Sequence, residues 1–102
     1  MKVIWSQRAV KSLRIIEDYI LQEFGENKRL EFMAEAEKVA RNLEQFPGLG
    51  KQEPLLVHRK KEYHSFVISR LSKIIYYTDA TRVVIADVWE TRREPKALTK
   101  GL

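Results

Sequence analysis

The side chains best able to do chemistry are cationic, and most lie in the second half of the chain. Arg59-Lys60-Lys61 is the densest positive run, Lys73 opens a stretch rich in isoleucine and tyrosine, and Arg92-Arg93 follows Trp89-Glu90-Thr91. Two guanidiniums at a strand end, braced by Pro95, suit recognition of phosphate or carboxylate better than free lysines do. His64 is the one histidine in a strand-like run, and imidazole is the side chain that changes charge near neutral pH, as a general base must. His58 lies in the basic loop and carries no assigned role. Each candidate has a plainer alternative. Arg92 and Arg93 can pair with Glu90, Glu94 or a helix carboxylate. Arg59, Lys60, Lys61 and Lys73 can simply solvate a strand and discourage edge pairing, and His64 can be an ordinary polar strand residue. Two histidines without a carboxylate cluster do not make a metal site, and no cofactor is expected.

A chain of 102 residues suits one small domain, and its 44% hydrophobic content is enough for one core. The absence of cysteine excludes disulfides and thiolate metal sites. The N-terminal apolar stretch is too short for a signal peptide, and no apolar run is long enough to span a membrane, so a soluble cytoplasmic protein is expected. Charge is unevenly spread. Residues 1–50 carry eight Lys/Arg and eight Asp/Glu, whereas residues 51–102 carry eleven and six, so the whole +5 excess falls in the second half. Such a face could meet a polyanion or an acidic protein, or merely keep the chain soluble.

The elements that must position these groups follow from periodicity. Val3-Ile4-Trp5 reads as a short strand, and Ser6 as the N-cap of a helix, with Trp5 and Val10 placed to staple across it. Ala9, Leu13, Ile16, Ile20 and Phe24 recur at helical spacing, and Gly25 stands where a C-cap belongs. Asn27 is placed to cap a second helix carrying Phe32, Ala36, Val39, Leu43 and Phe46, stopped by Pro47-Gly48. Gly48 to Pro54 is a loop, and Leu55-Leu56-Val57 a possible short strand. Three longer runs, Tyr63 to Ser69, Lys73 to Thr78 and Arg82 to Thr91, are divided by turns at Arg70-Leu71-Ser72 and Asp79-Ala80-Thr81. In the last run Val84, Ala86 and Val88 alternate with Val83, Ile85, Asp87 and Trp89, as in a sheet packed on helices by one face. The expected class is α+β: a single domain, an N-terminal antiparallel helical hairpin packed on a curved, mainly antiparallel β-sheet.

These segments resemble the RelE/ParE toxins, closer to the ParE-like branch. The resemblance rests on Trp5-Ser6-x-x-Ala9-x-x-x-Leu13-x-x-Ile16-x-x-Tyr19-Ile20 with Phe24-Gly25, and on Phe46-Pro47-x-x-Gly50. It extends through Tyr63-His64-Ser65-Phe66-Val67-Ile68, Lys73-Ile74-Ile75-Tyr76-Tyr77 and Val83 to Trp89, leading into Thr91-Arg92-Arg93-Glu94-Pro95. Their order covers nearly the whole chain.

The resemblance implies the toxin of a type II toxin–antitoxin pair, held inactive by a cognate antitoxin. RelE-like members cut mRNA in the ribosomal A site, and ParE-like members poison DNA gyrase. Metal-independent RNA cleavage needs a base, cations around the phosphate and an acid. Aligned on the family's hairpin, Lys73 stands where RelE-like members carry an arginine, His64 where they carry a lysine, and Arg93 matches their basic residue after the last strand. Phe66 replaces a second lysine and Thr99 lies near the place of a C-terminal tyrosine, so two of five groups are missing. The first expectation is therefore a ParE-like toxin that binds gyrase, using Arg59, Lys61, Arg92 and Arg93 as binding residues. The alternatives are an mRNA endonuclease using His64, Lys73 and Arg93, and a non-toxic basic binding module. The antitoxin is expected to lay an acidic segment on the basic half.

Overall fold

The computed structural model describes residues 1–69 and 72–102. It begins with strand β1 (Lys2–Trp5) and two long helices, α1 (Gln7–Phe24) and α2 (Glu26–Gln45). A two-residue strand β2 (Lys51–Gln52) and a single 3₁₀ turn (Pro54–Leu56) lead into β3 (His64–Ser69), β4 (Ser72–Thr78) and β5 (Arg82–Glu90), and a short helix α3 (Pro95–Thr99) follows. The sheet order is β1-β5-β4-β3-β2, antiparallel throughout except that β1 runs parallel to β5. This is the α+β class expected.

Local chemistry explains the helical half. The Ser6 hydroxyl caps α1 by accepting from the Ala9 N–H, and it donates to the Ala86 carbonyl at 2.9 Å. Gly25, at φ +91°, ends α1 in a conformation that disfavours any residue with a Cβ. The same glycine directly precedes α2, which has no side-chain cap, so Asn27 lies inside the helix rather than capping it. A one-residue link leaves the helices no course but to fold back, and Arg29 of α2 pairs with Glu17 of α1 at 3.3 Å. Ala9, Ile16, Phe32, Ala36, Val39 and Leu43 form the buried helical stripe. Phe46 does not join it: it is the C-cap of α2 and 62% exposed.

Three further expectations need correction. Leu55-Leu56-Val57 is not a strand, because Pro54 opens a 3₁₀ turn capped by the Glu53 carboxylate on the Leu55 N–H. Ser72 belongs to β4, and the remainder of the expected Arg70-Leu71-Ser72 turn lies outside the described residues. The sheet is covered on both faces. One face joins Ile68, Ile74, Tyr76, Val83, Ile85 and Val88 to the two helices. The other buries Ile75, Ala86 and Trp89 under Leu56, Tyr63 and Leu98, the last from α3.

The strict alternation read along β5 fails at one residue. Ile75 pairs with Asp87 and Tyr76 with Ile85, which leaves Ala86 as an extra residue, a β-bulge. Beyond it the phase reverses, so Val88 joins Val83 and Ile85 on the helical face and Trp89 joins Ala86 opposite. At the bulge, the buried carboxylate of Asp87 accepts from Arg8 Nε (3.0 Å), Ser12 Oγ (2.5 Å), its neighbour's Val88 N–H (2.9 Å) and Trp89 Nε1 (3.1 Å). Replacing Asp87 with alanine should strand these donors. We expect a loss of about 3 kcal/mol, the lower end for a broken buried pair because Arg8 keeps some solvent access. The measurement is the urea midpoint; a loss below about 1 kcal/mol would show that the carboxylate does not pin α1 to β5.

Candidate functional site

The register of β3 and β4 decides which candidate side chains can meet. His64 pairs with Tyr76, Phe66 with Ile74, and Val67 with Lys73. Directly opposed residues share a face and neighbours alternate. His64 therefore lies on the helical side, stacked on the Tyr76 ring at 5.7 Å and 28°, whereas Lys73 lies on the opposite side, 5.5 Å above the Trp89 ring. The imidazole and the ammonium are thus separated by the sheet.

Lys73 is also engaged. Its Nζ lies 2.5 Å from Oε1 of Glu53, which is 1% exposed. Glu53 Oε2 accepts the Leu55 N–H at 3.0 Å. Burial pushes the Glu53 pKa up, but hydrogen bonds from Lys73, Leu55 and Ser65 and the Lys73 charge outweigh it, holding the carboxyl below its ordinary range. A lysine whose charge is matched by a buried carboxylate has little left for a phosphate. Glu53 was not legible as a partner in the sequence, where it reads as one more acid before a proline.

Tyr76 shows why the Phe46-Pro47-x-x-Gly50 junction needs its glycine. The phenol donates to the Pro47 carbonyl and accepts the Gly50 N–H, each at 2.8 Å. A Cβ at position 50 would stand 2.6 Å from the Ser65 carbonyl oxygen and 2.7 Å from the Tyr76 hydroxyl. Burial raises the Tyr76 pKa, and the hydrogen bond from the Gly50 N–H opposes that shift in part. Tyr77 faces the other way, edge-on to Tyr63 at 5.7 Å, with Lys61 4.5 Å above its ring.

The two arginines after β5 differ sharply. Arg92 is paired with Glu90 at 2.8 Å and lies 5.4 Å over the Tyr19 ring of α1. Arg93 makes only a backbone hydrogen bond, from its N–H to the Glu90 carbonyl, and its guanidinium has no partner among the described residues. It borders a recess of about 110 Å³ with Arg8, Ser12, Asp87 and Ala97, between α1, the end of β5 and α3. Arg59 donates to the Leu102 carbonyl at 2.5 Å and the Thr99 carbonyl at 3.5 Å, tying the basic loop to the end of α3. Among the described residues no group of three or more His, Asp or Glu side chains is placed to hold a metal.

The comparisons agree with this architecture. The family model for the ParE toxin of the type II toxin–antitoxin system parDE matches residues 3–95. The chain belongs to the ParE toxin family. It is thus the toxin of a type II toxin–antitoxin system, and its partner is a cognate antitoxin. Among solved structures, the chain is similar to that of a chromosomal ParDE toxin–antitoxin system from P. aeruginosa. That match has 16% identity and a TM-score of 0.73, covering 90% of this chain and 97% of the other. It is also similar to a YoeB/ParE toxin from Agrobacterium tumefaciens, at 19% identity and a TM-score of 0.58, covering 88% and 98%. A third is a YoeB dimer from Staphylococcus aureus, at 18% identity and 0.57, covering 85% and 92%. No curated protein sequence matches the chain. No helix among the described residues is long and apolar enough to cross a membrane.

The buried pair sets a pH dependence for this ParE-family toxin. Because the Glu53 pKa is depressed on folding, its contribution is complete above the ordinary carboxylate range and is lost as pH falls through the lowered value. Glu53→Gln should be less stable than the parent at pH 7, and the gap should narrow below about pH 4, where the carboxyl of the unfolded chain takes up its proton while the folded one still resists it. Urea midpoints at the two pH values test this, and a gap that stays constant would dissociate Glu53 ionisation from folding.

Proposed function

We propose that this toxin arrests growth by binding DNA gyrase, with no chemistry of its own, and that Arg92 and Arg93 are its recognition groups. The observation that carries the binding reading is the separation of His64 from Lys73 by the sheet, with Lys73 matched by Glu53. A ribonuclease would need base and cation converging on one phosphate. Gyrase as the target rests on the ParE family, not on the geometry. Arg93 is the better of the two recognition groups: its guanidinium lacks a partner among the described residues and stands at a strand end, where little entropy is lost on binding. Arg59 and Lys61 flank the same basic half. The antitoxin is proposed to lay an acidic segment on that half and so mask these groups. On this reading the toxin acts in the cytoplasm, where both partners would be met.

Induction of the toxin alone in bacteria is the test. Growth arrest with cleaved DNA and a DNA-damage response is the expected result, and arrest with mRNA cut at codon edges would establish the endonuclease instead. Joint replacement of Arg92 and Arg93 by alanine should abolish arrest while leaving the circular dichroism spectrum unchanged. A folded double variant that still arrests growth would remove this segment from the binding surface.

A further inference from the structure

The ion pairs distribute charge in a way composition does not reveal. In residues 51–102 most carboxylates are satisfied within the fold: Glu53 by Lys73, Asp87 by Arg8, Asp79 by Arg82 and Glu90 by Arg92. Only Glu62 and Glu94 have no cation partner among the described residues. By contrast, Lys51, Lys60, Arg93, Lys96 and Lys100 are exposed and lack a carboxylate partner among the described residues. Arg59 and Lys61 are exposed too: Arg59 donates to the backbone oxygens of Thr99 and Leu102, and Lys61 lies over the Tyr77 ring, neither with an Asp or Glu partner among the described residues.

Topology gathers four of these charges. Arg59 reaches the carbonyls of Thr99 and Leu102, which brings the 57–62 loop beside Lys100, forty residues away in sequence. Leu98 and Leu56 share one core cluster, so the base of this junction is held by packing rather than left to chance. The result is one end of the molecule that presents Arg59, Lys60, Lys61 and Lys100 on two linked segments.

We propose that this end docks on the phosphate backbone of duplex DNA, a reading that rests on gyrase, an enzyme that handles DNA, being the target. A cluster of exposed cations suits a regular array of phosphates, and an acidic antitoxin segment on the same half would compete for it. Three of the four cations are lysines, point charges that can follow a row of phosphates without a bidentate geometry. Of the large exposed apolar side chains that a protein partner would cover, Ile15, Tyr19, Leu21, Phe24 and Leu30 lie on the helices, between 37% and 60% exposed. Among the described residues, Leu55 and Val57 are the exposed apolar side chains nearest in sequence to the 57–62 loop. Contact there carries no sequence information, so the toxin would hold any DNA that gyrase holds. It would add affinity to a protein contact made elsewhere on the surface.

The experiment measures binding of the purified toxin to a fluorescent duplex of about 20 base pairs across a salt series; four neutralised phosphates give a slope of log K against log salt of about −3.6. Lys60→Glu combined with Lys100→Glu should weaken binding more than tenfold at low salt and reduce the slope by roughly half. Lys11→Glu combined with Lys38→Glu makes the same charge change on exposed helical positions and should leave affinity within about twofold. No duplex binding by the parent at low salt, or equal losses in the two variants, would overturn the proposal. Binding to gyrase without DNA separates the two readings. The Lys60/Lys100 variant should retain it, and its loss would make this end a protein interface and overturn the phosphate site. A parent toxin that binds duplex with the expected slope but not gyrase would remove the gyrase reading and leave the phosphate site standing.

Discussion

The structure turns on a single carboxylate. Asp87 sits at the bulge in β5 and takes donors from α1, from the adjoining backbone and from the indole of Trp89. A buried carboxylate is tolerable only when its acceptor positions are filled, so those donors must arrive together. Arg8 and Ser12 can do so only if α1 crosses the sheet in one position. The Ser6 N–H and hydroxyl reinforce it by bonding to the carbonyls of Ile85 and Ala86, on the strand residues just before Asp87. The parallel pairing of β1 with β5, the start of α1 and the phase reversal of β5 are therefore one arrangement seen from three sides.

That phase reversal controls what the second face of the sheet can do. Because Trp89 turns away from the helices, the outer face gains an aromatic ring beside Lys73 and a hydrophobic floor for Leu98. A sheet buried on one side would expose a row of strand side chains to substrate. Here the 3₁₀ turn and α3 cover part of that row, and Glu53, brought in by the turn, neutralises the lysine that remains. Replacing a buried ion pair with apolar groups is often no worse for stability. Its merit here is positional: a charged pair fixes the loop before β3 to the middle of the sheet.

The helices were legible from a sustained 3.6-residue period, and the three long strands from runs rich in Val, Ile, Tyr and Phe divided by short polar turns. What escaped was set by single residues acting across the fold. The bulge at Ala86 leaves no mark in composition, since Val83 to Val88 is apolar in either phase except at Asp87. That lone acid in an apolar run was the available signal, and its reading required the register. Leu55 and Leu56 suit a strand by type, but Pro54 and the Glu53 cap favour a 3₁₀ turn. Asn27 is a good cap in isolation, yet Gly25 had already supplied the reversal. Among site residues, His64, Lys73 and Arg93 could be found by type, but not the faces they occupy. Strand parity depends on pairing, and a one-residue offset moves a side chain to the other side.

Arg92 and Arg93 illustrate why adjacent identical residues need separate accounts. Arg92 has a carboxylate on its own strand and an aromatic ring on α1, so its guanidinium joins the end of β5 to the helix. Half of its side chain stays exposed, where solvent screens the pair, so its geometric effect outweighs its energetic one. By closing one side of the turn after β5, it leaves Arg93 beside the recess shared with Arg8 and Asp87. The Asp87 carboxylate there is already taken by four donors. Arg93 is thereby denied the obvious internal partner. The turn after β5 thus holds two adjacent arginines in different states, one paired within the fold and one whose guanidinium has no partner among the described residues.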